Sequence, residues 1–239
     1  MNTAVENLTF RERIAGLLTS QNAIVGLLVV SSLCTYFLGG PGYLLGLLYV
    51  IFILWSSKGD WKSFGLDWSK FSISMVCKAF AYAICIVLVT DIFISPSLTH
   101  LYNESSEIEQ FNSIQGNTFQ YIIFIIVGWI NGGFGEELFY RGFMMKRIGN
   151  FLNDENWGWI IGLVITSVVF GLVHQYQGMS GVISTGIVGF MIGVIYFRNR
   201  TNLLLCILIH GLIDTIGITL LYTGNADLLS SFGRSIMNF

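Results

Sequence analysis

Seven apolar segments, separated by short polar stretches, constrain this chain more than any other feature. They cover approximately residues 23–38, 42–55, 72–95, 120–140, 158–175, 181–197 and 202–222. Most approach the roughly 20 residues that a helix needs to cross the hydrocarbon core of a bilayer. Inside a bilayer the backbone can satisfy its polar groups only in helices or closed barrels. These long segments therefore predict an all-α, polytopic bundle of transmembrane helices with about seven spans, between six and eight.

The composition agrees with a membrane location. Only 11% of the 239 residues are charged and 54% are hydrophobic, whereas soluble domains contain about 25% charged residues. A chain with so few charged residues cannot cover its own surface in water. The net charge of −2 is spread thinly along the sequence, without the basic patch that nucleic-acid binding requires. We therefore expect the lipid bilayer as a partner and no nucleic acid.

Basic residues mark one side of the predicted membrane. They precede the first span and follow the second, fourth and sixth, at Arg11, Arg13, Lys58, Lys62, Lys70, Arg141, Lys146, Arg147, Arg198 and Arg200. The loop 96–119 and the turns on the opposite side contain neither Lys nor Arg. Because positive residues accumulate in cytoplasmic loops, we expect a multi-pass protein of the cell membrane, with a cytoplasmic N-terminus and an external C-terminus.

Ionisable residues inside predicted spans are the strongest candidates for function, because burying them in lipid is costly. Span four contains the adjacent carboxylates Glu136 and Glu137, followed by Arg141. Glu137 and Arg141 are four residues apart on one helix face, which predicts an ion pair. Glu136 points about 100° away from that pair, and we expect it to have no partner within its own helix. An unpaired carboxylate in a low dielectric suits a general base.

Two histidines and an aspartate follow on later spans. His174 lies near the end of span five, and His210 and Asp214 are four residues apart on one face of span seven. A lone buried histidine is more often part of a packed core than a catalyst. Two glutamates, an arginine, two histidines and an aspartate on three spans are hard to attribute to packing in a chain this poor in charge. We therefore predict one site that opens towards the cytoplasmic leaflet.

Other polar or flexible positions have simpler explanations. Gly132, Gly133 and Gly135 precede the carboxylates and permit either a close approach of another helix or a local kink. Lys78 and Asp91 lie near opposite ends of the third span, too far apart to pair. Each can extend its charge towards the nearer membrane surface, so we assign neither a chemical role.

The three motifs together resemble those of a known family. They are Glu136-Glu137-x-x-x-Arg141, Phe170-x-x-x-His174 and His210-x-x-x-Asp214, in this order on successive membrane helices. They are similar to the motifs of the CAAX-protease and bacteriocin-processing family (CPBP, also called Abi), which includes the type II CAAX prenyl endopeptidases. The resemblance covers roughly residues 120–220. The prenyl-protein proteases carry Asn where this chain has Asp214, a departure that concerns prenyl-CAAX specificity more than the hydrolytic site.

The resemblance implies an intramembrane endopeptidase that hydrolyses membrane-tethered or lipid-modified peptides, either CAAX-type substrates or bacterial peptide precursors. The implied catalytic set is Glu136, Glu137, Arg141, His174, His210 and Asp214. In this set Glu136, helped by His174, takes a proton from the attacking water. Arg141 holds Glu137, and His210 and Asp214 face the developing oxyanion.

The sequence is compatible with a bound zinc ion and with a site that contains no metal. Glu136, His174, His210 and Asp214 are residue types that can bind zinc, and the family name includes metalloproteases. The spacing differs from the HExxH motif of zinc proteases, and the family has also been interpreted as metal-free glutamate proteases. Zinc is therefore one candidate cofactor, and a site without a cofactor is the alternative.

The resemblance also divides the chain into three parts and places it in a bacterial plasma membrane. We expect residues 1–119 to contain an N-terminal interfacial helix, three spans and an external loop. Residues 120–222 then form the catalytic membrane core, and 223–239 form a short external tail.

Two other functions agree with parts of the sequence. A non-catalytic membrane partner, such as an immunity or regulatory protein, would keep its cellular activity when Glu136 is replaced. A proton-coupled transporter also uses intramembrane carboxylates and histidines. Many transporters contain repeats, however, and the sequence shows no second copy of the pattern. The nearly complete set of motifs favours the protease.

Overall fold

The computed structural model describes residues 9–38, 40–104, 109–200 and 202–238. Within these ranges the chain contains no β-strand, and its longer elements are α1 (Phe10–Leu18), α2 (Gln21–Leu38), α3 (Gly40–Ser56), α4 (Ile73–Tyr102), α5 (Thr118–Phe151), α6 (Asn156–Leu172), α7 (Gly178–Arg198), α8 (Leu203–Tyr222) and α9 (Leu228–Met237). Short 3₁₀ turns lie at Trp61–Phe64, Trp68–Lys70, Glu109–Ile114 and Gln175–Gln177.

The prediction of an all-α membrane bundle is confirmed. Among the described residues, the four helices α4, α5, α7 with its preceding turn, and α8 are long and apolar enough to cross a membrane. The bent pair Phe10–Leu18 and Asn22–Ser31 is a fifth candidate, and Tyr43–Ser56 and Asn156–Leu172 are shorter apolar helices. The helices α2 to α8 correspond in order to the seven apolar segments. Large apolar side chains on the outside of the bundle, such as Ile130 and Val168, are exposed, as lipid-facing residues must be.

The predicted N-terminal helix corresponds to α1. Thr9 and Glu12 form a capping box: the Thr9 hydroxyl accepts from the backbone N–H of Glu12, and the Glu12 carboxylate accepts from the backbone N–H of Thr9. Residues 1–8 of the first predicted part and residues 105–108 of its external loop lie outside the described residues.

Two helices extend beyond their predicted ends. The sequence predicts that the third span ends near residue 95, but α4 continues to Tyr102; likewise α5 continues past residue 140 to Phe151. Pro96 lies inside α4 directly after a π-wound stretch, Thr90–Ile94. Proline has no N–H and cannot donate to the carbonyl four residues earlier. The altered winding before Pro96 lets the helix continue.

The C-terminal helix α9 packs against this part of α4 through a glycine. A Cβ atom at Gly233 would overlap the backbone carbonyl oxygen of Ile92, the carbonyl to which Pro96 cannot donate. The Ser230 hydroxyl also donates to the backbone carbonyl of Asp91 at 3.3 Å. The absence of a side chain at Gly233 is therefore what allows α9 to approach α4 closely.

We expect Gly233→Ala to loosen α9 from the bundle. The added methyl group has no space at the Ile92 carbonyl, and overpacking of this kind typically costs about 1–3 kcal/mol. Limited proteolysis of the purified protein should then cleave near residues 223–227 faster than in the wild type. Gly26→Ala is a matched control, because a Cβ atom at Gly26 meets nothing within 4 Å. Equal cleavage of Gly233→Ala and wild type would contradict the close contact.

Glu104 caps the first turn of α7. Its Oε1 accepts from the backbone N–H of Met179 at 2.9 Å, and its Oε2 accepts from the backbone N–H of Ser180 at 2.8 Å and from the Ser180 hydroxyl. The hydrogen bonds from Ser180 and Met179 lower the pKa of Glu104 below its ordinary value. The segment after α4 is thereby fastened to the beginning of α7.

The lowered pKa of Glu104 predicts a pH-dependent contribution to stability. A carboxylate with a lowered pKa in the folded state stabilises the protein at pH values above its unfolded-state pKa, and this contribution is lost as the pH falls through the folded-state pKa. Glu104→Gln should therefore lower Tm in detergent at pH 7, by roughly 2 °C, and the two proteins should converge as the pH falls through the lowered pKa of Glu104.

Glu155→Gln serves as the control for this pH series. Glu155 stands before α6, but its side chain caps no backbone N–H there. Its effect on Tm at pH 7 should be smaller than that of Glu104→Gln. A difference for Glu104→Gln that does not change with pH would contradict the role of the Glu104 charge.

Candidate active site

The central part of α5 departs from regular α-helical winding where the first motif lies. The stretches Gly128–Glu136 and Leu138–Met145 are π-wound. In a π-helix the backbone bonds connect residues five apart, and such stretches are rare and frequent at functional sites. This winding changes which side chains of α5 are neighbours, and so it determines the arrangement of the candidate site.

The predicted ion pair between Glu137 and Arg141 is confirmed. Arg141 Nη1 donates to Glu137 Oε1 at 2.7 Å, and the two side chains are 0% and 2% exposed, respectively. A second group, Arg141 Nη2, donates to the backbone carbonyl of Gly189 at 2.7 Å, and the guanidinium lies 4.9 Å from the ring centre of Phe170. Arg141 thus connects α5 with α6 and α7.

His210, on α8, contacts the carboxylate of Glu137. Its Nδ1 lies 2.7 Å from Glu137 Oε1. Because Glu137 is a carboxylate paired with Arg141, it acts as acceptor and His210 Nδ1 as donor, an arrangement that fixes the orientation of the ring. The other ring nitrogen, Nε2, then points between Glu136 Oε2 at 3.9 Å and Asp214 Oδ1 at 3.7 Å. Five of the six predicted site residues therefore meet around one imidazole.

His174 borders this cluster from α6. It lies in the turn after that helix, and its Nδ1 is 2.7 Å from the backbone carbonyl oxygen of Phe170. The Phe170 ring is 4.9 Å from the His174 ring and 5.9 Å from the His210 ring, between ring centres. The sixth predicted residue is therefore near the site, and a shared aromatic neighbour links it to His210.

Glu136 has a partner on its own helix, so the expectation that it has none is wrong. Asn131 Nδ2 donates to Glu136 Oε1 at 3.4 Å, and the Tyr43 hydroxyl donates to the backbone carbonyl of Asn131 at 3.4 Å. The expectation assumed regular α winding, in which residues three or four apart are neighbours. Here π winding brings residues five apart together. An amide residue five positions before the motif, inside a glycine-rich stretch, is the signal in the sequence for Asn131.

The glycines before the motif allow α8 to lie directly against α5. A Cβ atom at Gly132 would overlap Asp214 Oδ2, and one at Gly133 would lie 3.1 Å from the backbone nitrogen of Gly211. Both alternatives for this stretch, close helix approach and local distortion, are therefore present. Any larger residue at Gly132 would displace Asp214 from the site.

Three buried polar atoms of the cluster have no hydrogen-bond partner among the described residues. They are Glu137 Oε2, Arg141 Nε and the Tyr140 hydroxyl. The Tyr140 ring packs between Tyr43, with ring centres 6.2 Å apart, and Phe170, with ring centres 5.1 Å apart. Buried polar atoms are normally paired, so we expect water or substrate to contact these positions. Tyr140 occupies a variable position inside the first motif, but its residue type alone gives no signal.

The site is closed at one end and open at the other. Side-chain exposure rises from 0% at Glu137 and 2% at Arg141, through 8% at His210 and 14% at Glu136, to 27% at Asp214. This gradient runs towards the end of the bundle where α7 begins and α8 ends, which the sequence predicts to be external. The leaflet that this end faces follows only from the predicted orientation, so the opening towards the cytoplasmic leaflet stays a prediction.

Aromatic packing fills the Arg141 end of the site. On the Arg141 side, Phe64 and Phe143 are stacked with ring centres 6.1 Å apart, and both are at most 1% exposed. Gly142 lies against Leu203 and the backbone of Phe64, where a Cβ atom would be 2.9 Å from each. This end of the site is therefore filled by protein.

The described residues do not fit a bound metal ion. Among them, no group of three or more His, Cys, Asp or Glu side chains is arranged to hold one. The carboxylates of Glu136 and Asp214 lie 3.9 and 3.7 Å from His210 Nε2, whereas ligands of one tetrahedral zinc are roughly 3.3 Å apart. We therefore derive no step through zinc.

The fold and the site together define a class: a polytopic helical membrane protein with a buried cluster of carboxylates, imidazoles and a guanidinium. Comparison with protein families identifies the family within that class. Residues 118–216 match the family model described as "Type II CAAX prenyl endopeptidase Rce1-like". This match supports the predicted resemblance to the CAAX-protease family over the segment that carries all three motifs. Comparisons with curated proteins and with solved structures give no match.

The family match supports two general statements. The matched family consists of prenyl endopeptidases, so the chain is related to proteases. Its apolar helices and the family together indicate a multi-pass membrane protein. The matched segment contains every predicted site residue, from Glu136 to Asp214.

Proposed function

We propose that this chain is an intramembrane endopeptidase that hydrolyses membrane-tethered or lipid-modified peptides. The observation that carries the proposal is the position of Glu136. Its carboxylate is partly accessible and lies beside His210, whose ring is fixed by the buried Glu137–Arg141 pair. A base next to an oriented imidazole is the arrangement that peptide hydrolysis requires. The family match supports the same class of reaction.

In the proposed reaction Glu136 is the general base. It takes a proton from a water molecule while the water oxygen attacks the carbonyl carbon of the scissile peptide bond. The bond between that carbon and the amide nitrogen then breaks, and the proton passes to the leaving nitrogen. Asn131 holds Oε1 of Glu136, which leaves Oε2 on the side of His210. His174, at the edge of the cluster, is proposed to help orient the water.

His210 and Asp214 are proposed to stabilise the oxyanion. Because Glu137 binds His210 Nδ1, the imidazole presents Nε2 to the space beside Glu136. A protonated imidazole donates a hydrogen bond there to the developing negative charge. Asp214, at 3.7 Å from Nε2, either orients the ring or, when it is protonated, donates a hydrogen bond to the same charge. Arg141 keeps Glu137 in place and is a positioning residue.

We further propose that residues 120–222 form the catalytic membrane core and that residues 1–119 and 223–239 flank it. In this arrangement the N-terminus is cytoplasmic and the C-terminus external, in the plasma membrane of a bacterium. The alternation of basic residues along the sequence supports this orientation.

The proposed function is tested by hydrolysis of a fluorogenic farnesylated CAAX peptide by the detergent-purified chain. The same peptide without the farnesyl group and a set of acylated bacterial-type precursors are measured in parallel. We expect hydrolysis of at least one lipid-modified peptide, and equal rates with and without a zinc chelator. Hydrolysis lost with chelator and restored by zinc would assign a metal to the site. If a folded protein hydrolyses none of them, the non-catalytic partner becomes the better proposal.

A further inference from the structure

A cavity of about 590 Å³ lies next to the open side of the candidate active site. It is bounded by α4, α7, α8 and α9, with lining residues that include Asp91, Thr99, Gln177, Ser184, Gly217 and Asp227. Its volume is within the range of roughly 300–1,000 Å³ that is typical of ligand sites. The cavity is therefore large enough for several residues of a peptide.

Two residues that line the cavity, Gly217 and Gln177, lie close to residues of the candidate active site. Gly217 follows Asp214 by three residues on α8, so both lie on the same face and Gly217 is one turn further out. Gln177 Nε2 donates to the Tyr176 hydroxyl at 3.0 Å, and the Tyr176 ring is 5.7 Å from the His174 ring. A Cβ atom at Gly217 would meet nothing within 4 Å. The open space thus begins within one helical turn of the site.

The charged residues that line the cavity indicate which kind of ligand it can bind. Among the described residues that line it there are two carboxylates, several hydroxyls and amides, and neither Lys nor Arg. Asp227 is paired with Arg234. Asp91 is half-buried, and its Oδ1 accepts from the Thr90 hydroxyl at 3.1 Å. Burying a carboxylate within a spanning helix is costly, which makes Asp91 a candidate for a function. The neutral Thr90 hydroxyl does not balance a negative charge on Asp91.

We propose that this cavity is a subsite for the outer part of the peptide substrate, and that Asp91 in it binds a basic side chain or a free amine of that peptide. The inference rests on the proposed function, because it assigns the cavity to the same substrate. The attraction of opposite charges in a partly buried position gives the selectivity. The substrate then extends from the scissile bond beside Glu136 towards the predicted external end of the bundle.

The test measures binding in the Glu136→Gln background, in which the peptide is not consumed. The probes are farnesylated CAAX decapeptides that carry a single Lys at one of the six positions before the Cys, each matched with a peptide that has Gln at that position. We expect at least one Lys peptide to bind about tenfold more tightly than its Gln partner. Asp91→Asn should remove this preference, and Gly217→Leu, which fills the cavity without a clash at Cβ, should weaken binding of the Lys peptide.

Glu155→Gln, an acidic residue at the other end of the bundle, is the matched control and should keep the preference. Failure of every Lys peptide to bind more tightly than its Gln partner would overturn the subsite, and so would a preference that survives Asp91→Asn. The proposed function is decided separately, by turnover in the protein that retains Glu136. Equal KM values for Lys and Gln peptides in an active protein would reject the subsite and keep the protease. An inactive protein with an Asp91-dependent preference would keep Asp91 as a binding site for a basic group and reject the protease.

Discussion

Replacing Glu136 by glutamine should reduce peptide hydrolysis by about a thousandfold and leave the protein folded. A positioned general base contributes roughly 10²–10⁴-fold to a rate, and an amide cannot take the proton from water. The substitution keeps an oxygen where Asn131 donates its hydrogen bond, so the packing around Glu136 changes little. The measurement is the initial rate of hydrolysis of the lipid-modified peptide that the wild type cleaves, together with Tm in the same detergent.

The control for Glu136 is Asn131→Asp, which places a second carboxylate beside it and removes the donated hydrogen bond. We expect this variant to keep the base and to show a shifted pH–rate profile with a smaller loss of rate than Glu136→Gln. A Glu136→Gln protein that retains more than a tenth of the wild-type rate would show that another group takes the proton.

Replacing Arg141 by methionine should lower Tm by on the order of 10 °C. Glu137 is fully buried, and removal of its counter-charge leaves an uncompensated carboxylate inside the bundle. Breaking one side of a buried ion pair costs about 3–5 kcal/mol, and each kcal/mol shifts Tm by roughly 2–4 °C in a protein of this size. Methionine fills part of the space that the Arg141 side chain occupies. The change in Tm therefore reports mainly the loss of the positive charge. Thermal unfolding in detergent is the measurement.

The double variant Glu137→Gln/Arg141→Met separates the stranded charge from lost packing. If the buried charge causes most of the loss, the double variant should be more stable than Arg141→Met alone. Arg141→Lys retains a positive charge but cannot contact Glu137 and the Gly189 carbonyl with two separate N–H groups, so we expect an intermediate Tm. Equal Tm values for wild type and Arg141→Met would contradict the structural role of the pair.

The sequence predicts the helices well because the hydrophobicity of each segment determines whether it enters the membrane. The helix ends were less predictable. Pro96 normally marks the end of a helix, but the π-wound stretch before it allows α4 to continue to Tyr102. Local altered winding of this kind depends on tertiary contacts such as that of Gly233, which are distant in the sequence.

The site was predictable where its contacts are local. The Glu137–Arg141 pair follows from spacing along one helix, and the structure contains it. The bond between Glu137 and His210 joins residues 73 positions apart, so the motifs indicate a common site but not which atoms meet. The partner of Glu136 was missed because π winding replaces the expected helical geometry.

The cap on α7 has a consequence beyond local stability. Glu104 holds the first turn of this helix at Ser180, and roughly 14 Å further along the same helix the Gly189 carbonyl accepts from Arg141. A helix transmits displacement along its axis with little loss, because its backbone bonds resist stretching. Acidification or a ligand that releases Glu104 would therefore shift the acceptor of the buried guanidinium. The surface segment and the interior charge cluster thus contact the same helix.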